Sequence, residues 1–228
     1  MLCTVPARPE PFAFDTSRTA LLIIDMQNDF CSAGGMCDLA GVKYMPIAET
    51  IPRIAALVRV ARKAAIEVIF LKMGFAANLS DAGGANSPTR IKHARLRAGD
   101  CYPDKPGQIL VRGYWGTEIV TELAPQSGEL ELWKTRYSGF FETGLDDALR
   151  SHGKDSLLIT GCTTSVCVDS TVRDAMFRDY RCLILEDCVA EPLGNSGPRT
   201  NHEASLLVFE RLLGWVAGSE DAIAAIAA

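Results

Sequence analysis

Residues 19–25 read Thr-Ala-Leu-Leu-Ile-Ile-Asp, a short apolar run without alternation that ends in a carboxylate. A strand with one wet face alternates apolar and polar side chains. A strand apolar at successive positions must be covered on both faces, as in a parallel sheet held between helices. Similar runs recur at residues 67–71 (Glu-Val-Ile-Phe-Leu), 156–160 (Ser-Leu-Leu-Ile-Thr) and 182–186 (Cys-Leu-Ile-Leu-Glu). Residues 129–133 alternate in character and end at Lys134. Between these runs the apolar residues follow helical spacing at 47–65, 144–151, 166–178, 202–216 and 220–227, with a turn and a short helix at 111–123. Strands alternating with helices predict an α/β fold: a three-layer, Rossmann-like arrangement with a mainly parallel sheet of about six strands. Residues 73–107 are rich in Gly, Asn, Ser, Asp and Pro and read as a long loop, a feature that tends to be functional in a compact domain.

A chain of 228 residues suits one domain spanning 1–228. No apolar run reaches the length of a membrane span, and residues 1–20 lack the apolar core of a signal peptide. The expected location is the cytoplasm, with no membrane partner. The net charge of −5 is spread along the chain without a basic tract, which argues against nucleic acid. The eight cysteines are scattered and form no Cys-x-x-Cys pair, so most are expected to be small buried hydrophobes and not staples.

Ligands of open parallel sheets bind beyond the carboxyl ends of the strands. The first run delivers Asp25 there, the third Lys134, and the fourth Gly161 followed by Cys-Thr-Thr-Ser-Val-Cys, residues 162–167. A carboxylate, an amine and a thiol therefore converge on one edge. Taken singly, each has a plainer reading: a helix cap, a solvated lysine, a packed cysteine. Together they suit nucleophilic catalysis. Cys167 is expected in the first turn of a helix, where free N–H groups and Lys134 would favour the thiolate. Asp25 would move protons, and the amides around Thr163 and Cys167 would hold an oxyanion.

Residues 22–30 (Leu-Ile-Ile-Asp-Met-Gln-Asn-Asp-Phe), 133–141 (Trp-Lys-Thr-Arg-Tyr-Ser-Gly-Phe-Phe) and 161–171 (Gly-Cys-Thr-Thr-Ser-Val-Cys-Val-Asp-Ser-Thr) resemble, in that order, the motifs of the isochorismatase-like cysteine hydrolases. The resemblance implies an Asp25–Lys134–Cys167 triad and a cis Cys162–Thr163 peptide that sets the Thr163 and Cys167 amides side by side as an oxyanion hole. It also implies a homo-oligomer, a tetramer or dimer. The chain's three histidines, His93, His152 and His202, do not form the Asp-x-His…His pattern of the family's metal-binding branch, so no metal and no cofactor are expected. The 134–141 and 81–88 segments look like the ureide-cleaving branch, whose substrates are small, flat carbamoyl compounds of the ureidoacrylate, biuret or triuret type. Met73 and Phe75, flanking Gly74, stand where that branch tends to show Asn and Trp. For substrate binding the residues singled out are Asn28, Phe30, Phe75, Asn86, Trp115, Arg136 and Tyr137. Arg136 could clamp a carboxylate or serve an ion pair elsewhere. The rival readings are another amidase of the family, a non-catalytic binding protein of the same fold, and a redox-sensing thiol with Cys162 as the resolving partner.

Overall fold

The computed structural model describes residues 1–194 and 196–228. Among the described residues, eight strands form two sheets. β1 (Leu2–Val5) and β2 (Phe12–Asp15) make an antiparallel pair. The main sheet comprises β3 (Thr19–Ile24), β4 (Glu67–Met73), β5 (Leu130–Lys134), β6 (Ser156–Cys162), β7 (Arg181–Ala190) and β8 (Trp215–Ala217). Its order is β5-β4-β3-β6-β7-β8, and neighbouring strands run parallel throughout. The chain builds outward from β3 to one edge, returns, and builds from β6 to the other. The switch point therefore falls between β3 and β6, where a crevice opens beyond the strand ends.

The helices are α1 (Asn28–Cys31), α2 (Met36–Leu39), α3 (Met45–Ala48), α4 (Ile51–Lys63), α5 (Pro88–Arg95), α6 (Leu145–Ser151), α7 (Asp169–Met176), α8 (Asn201–Val208) and α9 (Ser219–Ala227). β3 explains the layering. All its residues are buried, with Leu21 and Ile23 in the core that contains α4 and α9, and Ala20, Leu22 and Ile24 in the core that contains α6 and α7. The period of two sends alternate side chains to opposite faces, and both faces are dry. Among the described residues no helix is long and apolar enough to cross a membrane.

Several elements differ from the sequence expectation. The helix expected over 202–216 stops at Val208, passes through a wide turn at Phe209–Leu213, and gives way to the edge strand β8. Gly214 makes this possible, since a Cβ there would lie 2.5 Å from the Cys182 carbonyl oxygen. The 73–107 segment is not all loop: Pro88, at the first turn where its missing N–H costs nothing, opens α5. Residues 111–123 hold two 3₁₀ turns, Trp115–Thr117 and Thr121–Leu123, in place of a helix. The β1–β2 pair was not anticipated, and β7 continues to Ala190, beyond the expected 186.

Candidate active site

Three strand ends meet beside the switch point. Asp25 follows β3 directly, in a left-handed conformation with φ of 55°. Its N–H donates to the Leu71 carbonyl (2.9 Å), and its own carbonyl accepts from the Gln27 N–H (2.8 Å) and the Cys162 thiol (3.3 Å). Those backbone contacts turn the side chain under the sheet edge. Lys134 ends β5 with its side chain wholly buried. Its Nζ lies 2.7 Å from Asp25 Oδ2, 3.3 Å from the Arg136 carbonyl oxygen and 3.7 Å from Met73 Sδ. The Asp25 carboxylate is fully buried and accepts no hydrogen bond of regular geometry among the described residues. Gln27 locks the neighbouring backbone, with Nε2 donating to the Met73 (2.9 Å) and Thr117 (3.0 Å) carbonyls and Oε1 accepting from Met73 N–H (2.8 Å).

Cys167 comes from the β6–α7 connection. The Cys162–Thr163 peptide is cis, and Thr164–Val168 forms a π-type turn before α7 begins at Asp169. The cysteine thus precedes the regular helix. Gly161 is required at this junction, because its φ is +110° and a Cβ would fall 2.0 Å from the Ile24 carbonyl oxygen. The Cys167 thiol interacts electrostatically with both Asp25 and Lys134. Its carbonyl accepts from Thr171 Oγ1 (2.6 Å), which in turn accepts from Gly139 N–H (2.9 Å), tying the turn to the segment after β5. The buried Glu191 carboxylate accepts from Ser165 N–H (2.9 Å), Ser165 Oγ and Leu193 N–H (3.0 Å). It couples the thiol-bearing turn to the strand end after β7. The Thr163 N–H donates to no group among the described residues.

Electrostatics correct one expectation. Burial pushes the Cys167 thiol up to about 12, against the opposing pull of Lys134 and with Asp25 adding to the rise. Burial therefore favours the thiol, against the thiolate that the sequence predicts. Desolvation outweighs the helix-end and lysine effects because Cys167 is almost wholly buried, reaching solvent only at the cavity. Burial also raises Asp25 above its ordinary value, opposed by the Lys134 charge. For Lys134, burial pulls downward, but the neighbouring Asp25 and Cys167 more than offset it and the net shift is upward. The arrangement is an ammonium–carboxylate pair with a neutral thiol beside it. A carboxylate of raised proton affinity is a better acceptor for a thiol proton than an ordinary one.

A cavity of about 130 Å³ opens onto Cys167 and Thr163. Phe30, Met36, Cys37, Val42, Met73, Leu96, Val166, Pro192 and Leu193 form its largely apolar wall, and His93 and Tyr137 contribute the remaining side chains. Its size suits a small molecule. A wider, open groove of about 800 Å³, bordered by Asn28, Cys31 and Arg59, includes none of Asp25, Lys134 and Cys167.

Of the residues expected to bind substrate, Phe30 and Tyr137 line the cavity. The others lie elsewhere. Asn28 donates to the Trp115 carbonyl (2.9 Å) and borders the outer groove. Phe75 is buried behind the wall with its ring against His93, edge to face, at 5.4 Å. Trp115 packs on Tyr102 and under the Lys105 ammonium. Asn86 is exposed in the turn before α5. Arg136 donates to the Asp81 (3.1 Å) and Thr135 (2.7 Å) carbonyls and lies over the Phe141 ring. His93, which the sequence reading weighed only as a metal ligand, stands in the wall. The signal that could have found it was its place in the Gly- and Pro-rich insertion. Cys162 packs in the core on the α4 side of the sheet, whereas Cys167 belongs to the α7 side. Among the described residues no group of His, Cys, Asp and Glu is arranged to hold a metal ion.

A doubly wound parallel sheet with chemistry at its switch point defines a large class of α/β proteins. Within that class, residues 19–221 match the isochorismatase domain, and the chain belongs to the isochorismatase family. Its curated relatives include the ureidoacrylate amidohydrolase RutB of Caulobacter segnis, 41% identical over 95% of this chain and 89% of that protein. RutB of Serratia proteamaculans is 42% identical over 93% of this chain and 84% of its own length. Among solved structures, a cysteine hydrolase from Pseudomonas syringae superposes with a TM-score of 0.80 at 28% identity, covering 100% of this chain and 97% of that one. An isochorismatase family protein from Desulfovibrio vulgaris gives 0.73 at 29%, covering 92% and 99%.

Proposed function

We propose that this protein is a cysteine-dependent amidohydrolase that cleaves a C–N bond of a small ureide or related carbamoyl compound through a thioester. The observation that carries the proposal is the buried ammonium–carboxylate pair, 2.7 Å apart, coupled electrostatically to the Cys167 thiol, which lines a small cavity. The likeness to amidohydrolases acting on ureidoacrylate supports the ureide class.

In this reading the substrate carbonyl enters against Thr163 and Cys167. Asp25 takes the thiol proton as sulfur attacks the carbonyl carbon, and the Thr163 and Cys167 amides hold the developing oxyanion. Lys134 keeps its charge throughout and stabilises sulfur and oxyanion in turn. When the tetrahedral adduct collapses, the C–N bond breaks and protonated Asp25 gives its proton to the departing nitrogen. Water then attacks the thioester, Asp25 takes its proton, and the cysteine leaves and is reprotonated. The sum is substrate plus water to an amine or ammonia and a carboxylic or carbamic acid. No metal or cofactor takes part in these steps. We also take the working unit to be a homo-oligomer, a dimer or tetramer.

The test is an ammonia-release screen over ureidoacrylate, biuret, triuret, N-carbamoyl amino acids and nicotinamide, run with wild type and Cys167→Ser. Turnover of a ureide that falls at least about a thousandfold in Cys167→Ser, with the fold intact, is expected for a lost nucleophile. Retention of more than a few per cent of activity by that variant rules out Cys167 as nucleophile.

A further inference from the structure

We propose that His93 is a specificity-determining residue that accepts a hydrogen bond from an N–H of the bound ureide. The inference rests on the ureide reading above and deepens it, assigning the group that distinguishes an N–H-bearing carbamoyl compound from an isostere without one.

The geometry carries the argument. His93 is only 5% exposed and lines the Cys167 cavity, whose wall it shares with Phe30, Met73 and Tyr137. Its ring is held on two sides. Phe75 meets it edge to face at 5.4 Å, and Tyr137 lies at 5.5 Å with a tilt of 39°. Its Nδ1 lies 2.8 Å from the Thr89 carbonyl oxygen. A carbonyl oxygen can only accept, so Nδ1 carries the proton and the tautomer is fixed. In the neutral ring Nε2 is then a bare lone pair. No side chain or backbone group among the described residues bonds to it, and it is not sealed from solvent. Burial chiefly lowers the imidazole below its ordinary value; the Thr89 hydrogen bond opposes the fall, and the Lys134 and Arg136 charges add to it, so the neutral state is favoured.

The result is an oriented acceptor on an otherwise largely apolar wall. A ureide presents N–H groups on both sides of its carbonyl. With that carbonyl on the Thr163 and Cys167 amides, an acceptor on the wall complements one of them. An acceptor that must give up water when the ligand enters penalises a ligand that cannot donate to it, which is how a small site discriminates between isosteres.

Two substitutions separate this role from a structural one. In His93→Asn the amide nitrogen can keep the bond to the Thr89 carbonyl, but nothing reaches the Nε2 position. In His93→Gln the side-chain oxygen can reach the Nε2 position, but the bond to Thr89 is lost. A hydrogen bond made equally in ground and transition states changes KM and leaves kcat. Steady-state kinetics on ureidoacrylate and biuret should therefore show His93→Asn raising KM about five- to tenfold with kcat little changed, the size of one hydrogen bond. His93→Gln should stay closer to wild type in KM while melting lower. If His93 only supports α5, the order reverses: Asn behaves as wild type and Gln is the impaired variant, and that result overturns the proposal. Wild-type turnover keeps the two readings apart. Hydrolysis of either ureide with an unchanged KM in His93→Asn removes the His93 role alone, and a wild-type enzyme inert to both removes the ureide reading and the role with it.

Discussion

At the scale of single residues, burial favours the protonated form of Cys167, the proposed nucleophile. With burial pushing Cys167 up to about 12, the thiolate fraction near neutrality is minute. Thiolate, and not thiol, is the species that alkylates. Iodoacetamide modification of Cys167, followed by peptide mass spectrometry, should therefore accelerate close to tenfold per pH unit between pH 7 and 9. A rate that levels off near pH 7 would mean a stored thiolate and contradict the geometry. Cys101, the exposed cysteine, provides the internal reference. Asp25, Lys134 and Cys167 were legible in the sequence because short apolar runs dictate where strands end, and ends of parallel strands share an edge. The protonation state was not legible. It depends on how completely three side chains are sealed, a property of the packed molecule. Nor could the sequence sort the candidate binding residues. Phe30 and Phe75 are equally aromatic, yet one faces the cavity and the other stands behind His93.

At the scale of elements, the insertion after β4 is a braced wall and not a free loop. Asp81 is its hub: its carboxylate accepts from the Ala76 N–H (2.9 Å) and pairs with Arg112 (2.5 Å), while its carbonyl accepts from Arg136 (3.1 Å). Asp29 braces the other side, accepting from the Met36 N–H (2.9 Å), the Leu110 N–H (2.8 Å) and the Tyr102 hydroxyl (2.8 Å). These bonds brace the segments on either side of α5, while His93 Nδ1 bonds within it to the Thr89 carbonyl. Arg136 is engaged in this bracing, so Arg136→Ala should act through the wall. Activity on ureidoacrylate and on uncharged biuret should fall by similar factors, about three- to tenfold, and limited proteolysis within residues 76–99 should quicken. A loss confined to the carboxylated substrate would instead make Arg136 a reader of the carboxylate. The strands were legible because their runs are short and bounded by Gly, Pro and charge. α5 was not, since its polar sequence carries little helical periodicity and only Pro88 marks its start. β8 was hidden in a run that reads as helix until Gly214 breaks it.

At the scale of the whole molecule, the sheet order brings the ends of β3, β5 and β6 to one side while the edges are managed elsewhere. The segment between β1 and β2 covers β8, with Arg8 N–H donating to the Val216 carbonyl (2.9 Å) and the Val216 N–H returning to Arg8 (3.0 Å). That leaves less unpaired edge to recruit another chain. A second global consequence lies in the cysteines, most of which are buried hydrophobes within the two cores. Burial pushes Cys37, Cys167, Cys182 and Cys188 each up to about 12 from an ordinary value of 9.0. In the unfolded chain these thiols ionise from about pH 9, while the folded chain still holds their protons. Above that pH the unfolded state binds fewer protons than the native state, so stability falls as pH rises. The slope approaches roughly 1.4 kcal/mol per pH unit for each thiol, and it persists until the folded thiols ionise in turn. Lys134, also raised in the folded state, adds to the loss once the pH passes its ordinary value of 10.5. Melting temperature should therefore be nearly flat from pH 7 to 8.5 and drop steeply between pH 9 and 10.5. Cys182→Ala probes the cause away from the active site, because its thiol lies deep in the α7-side core and its shift comes from burial alone. That variant should start from a somewhat lower melting temperature and lose it less steeply above pH 9; an unchanged slope would assign the alkaline loss to other groups.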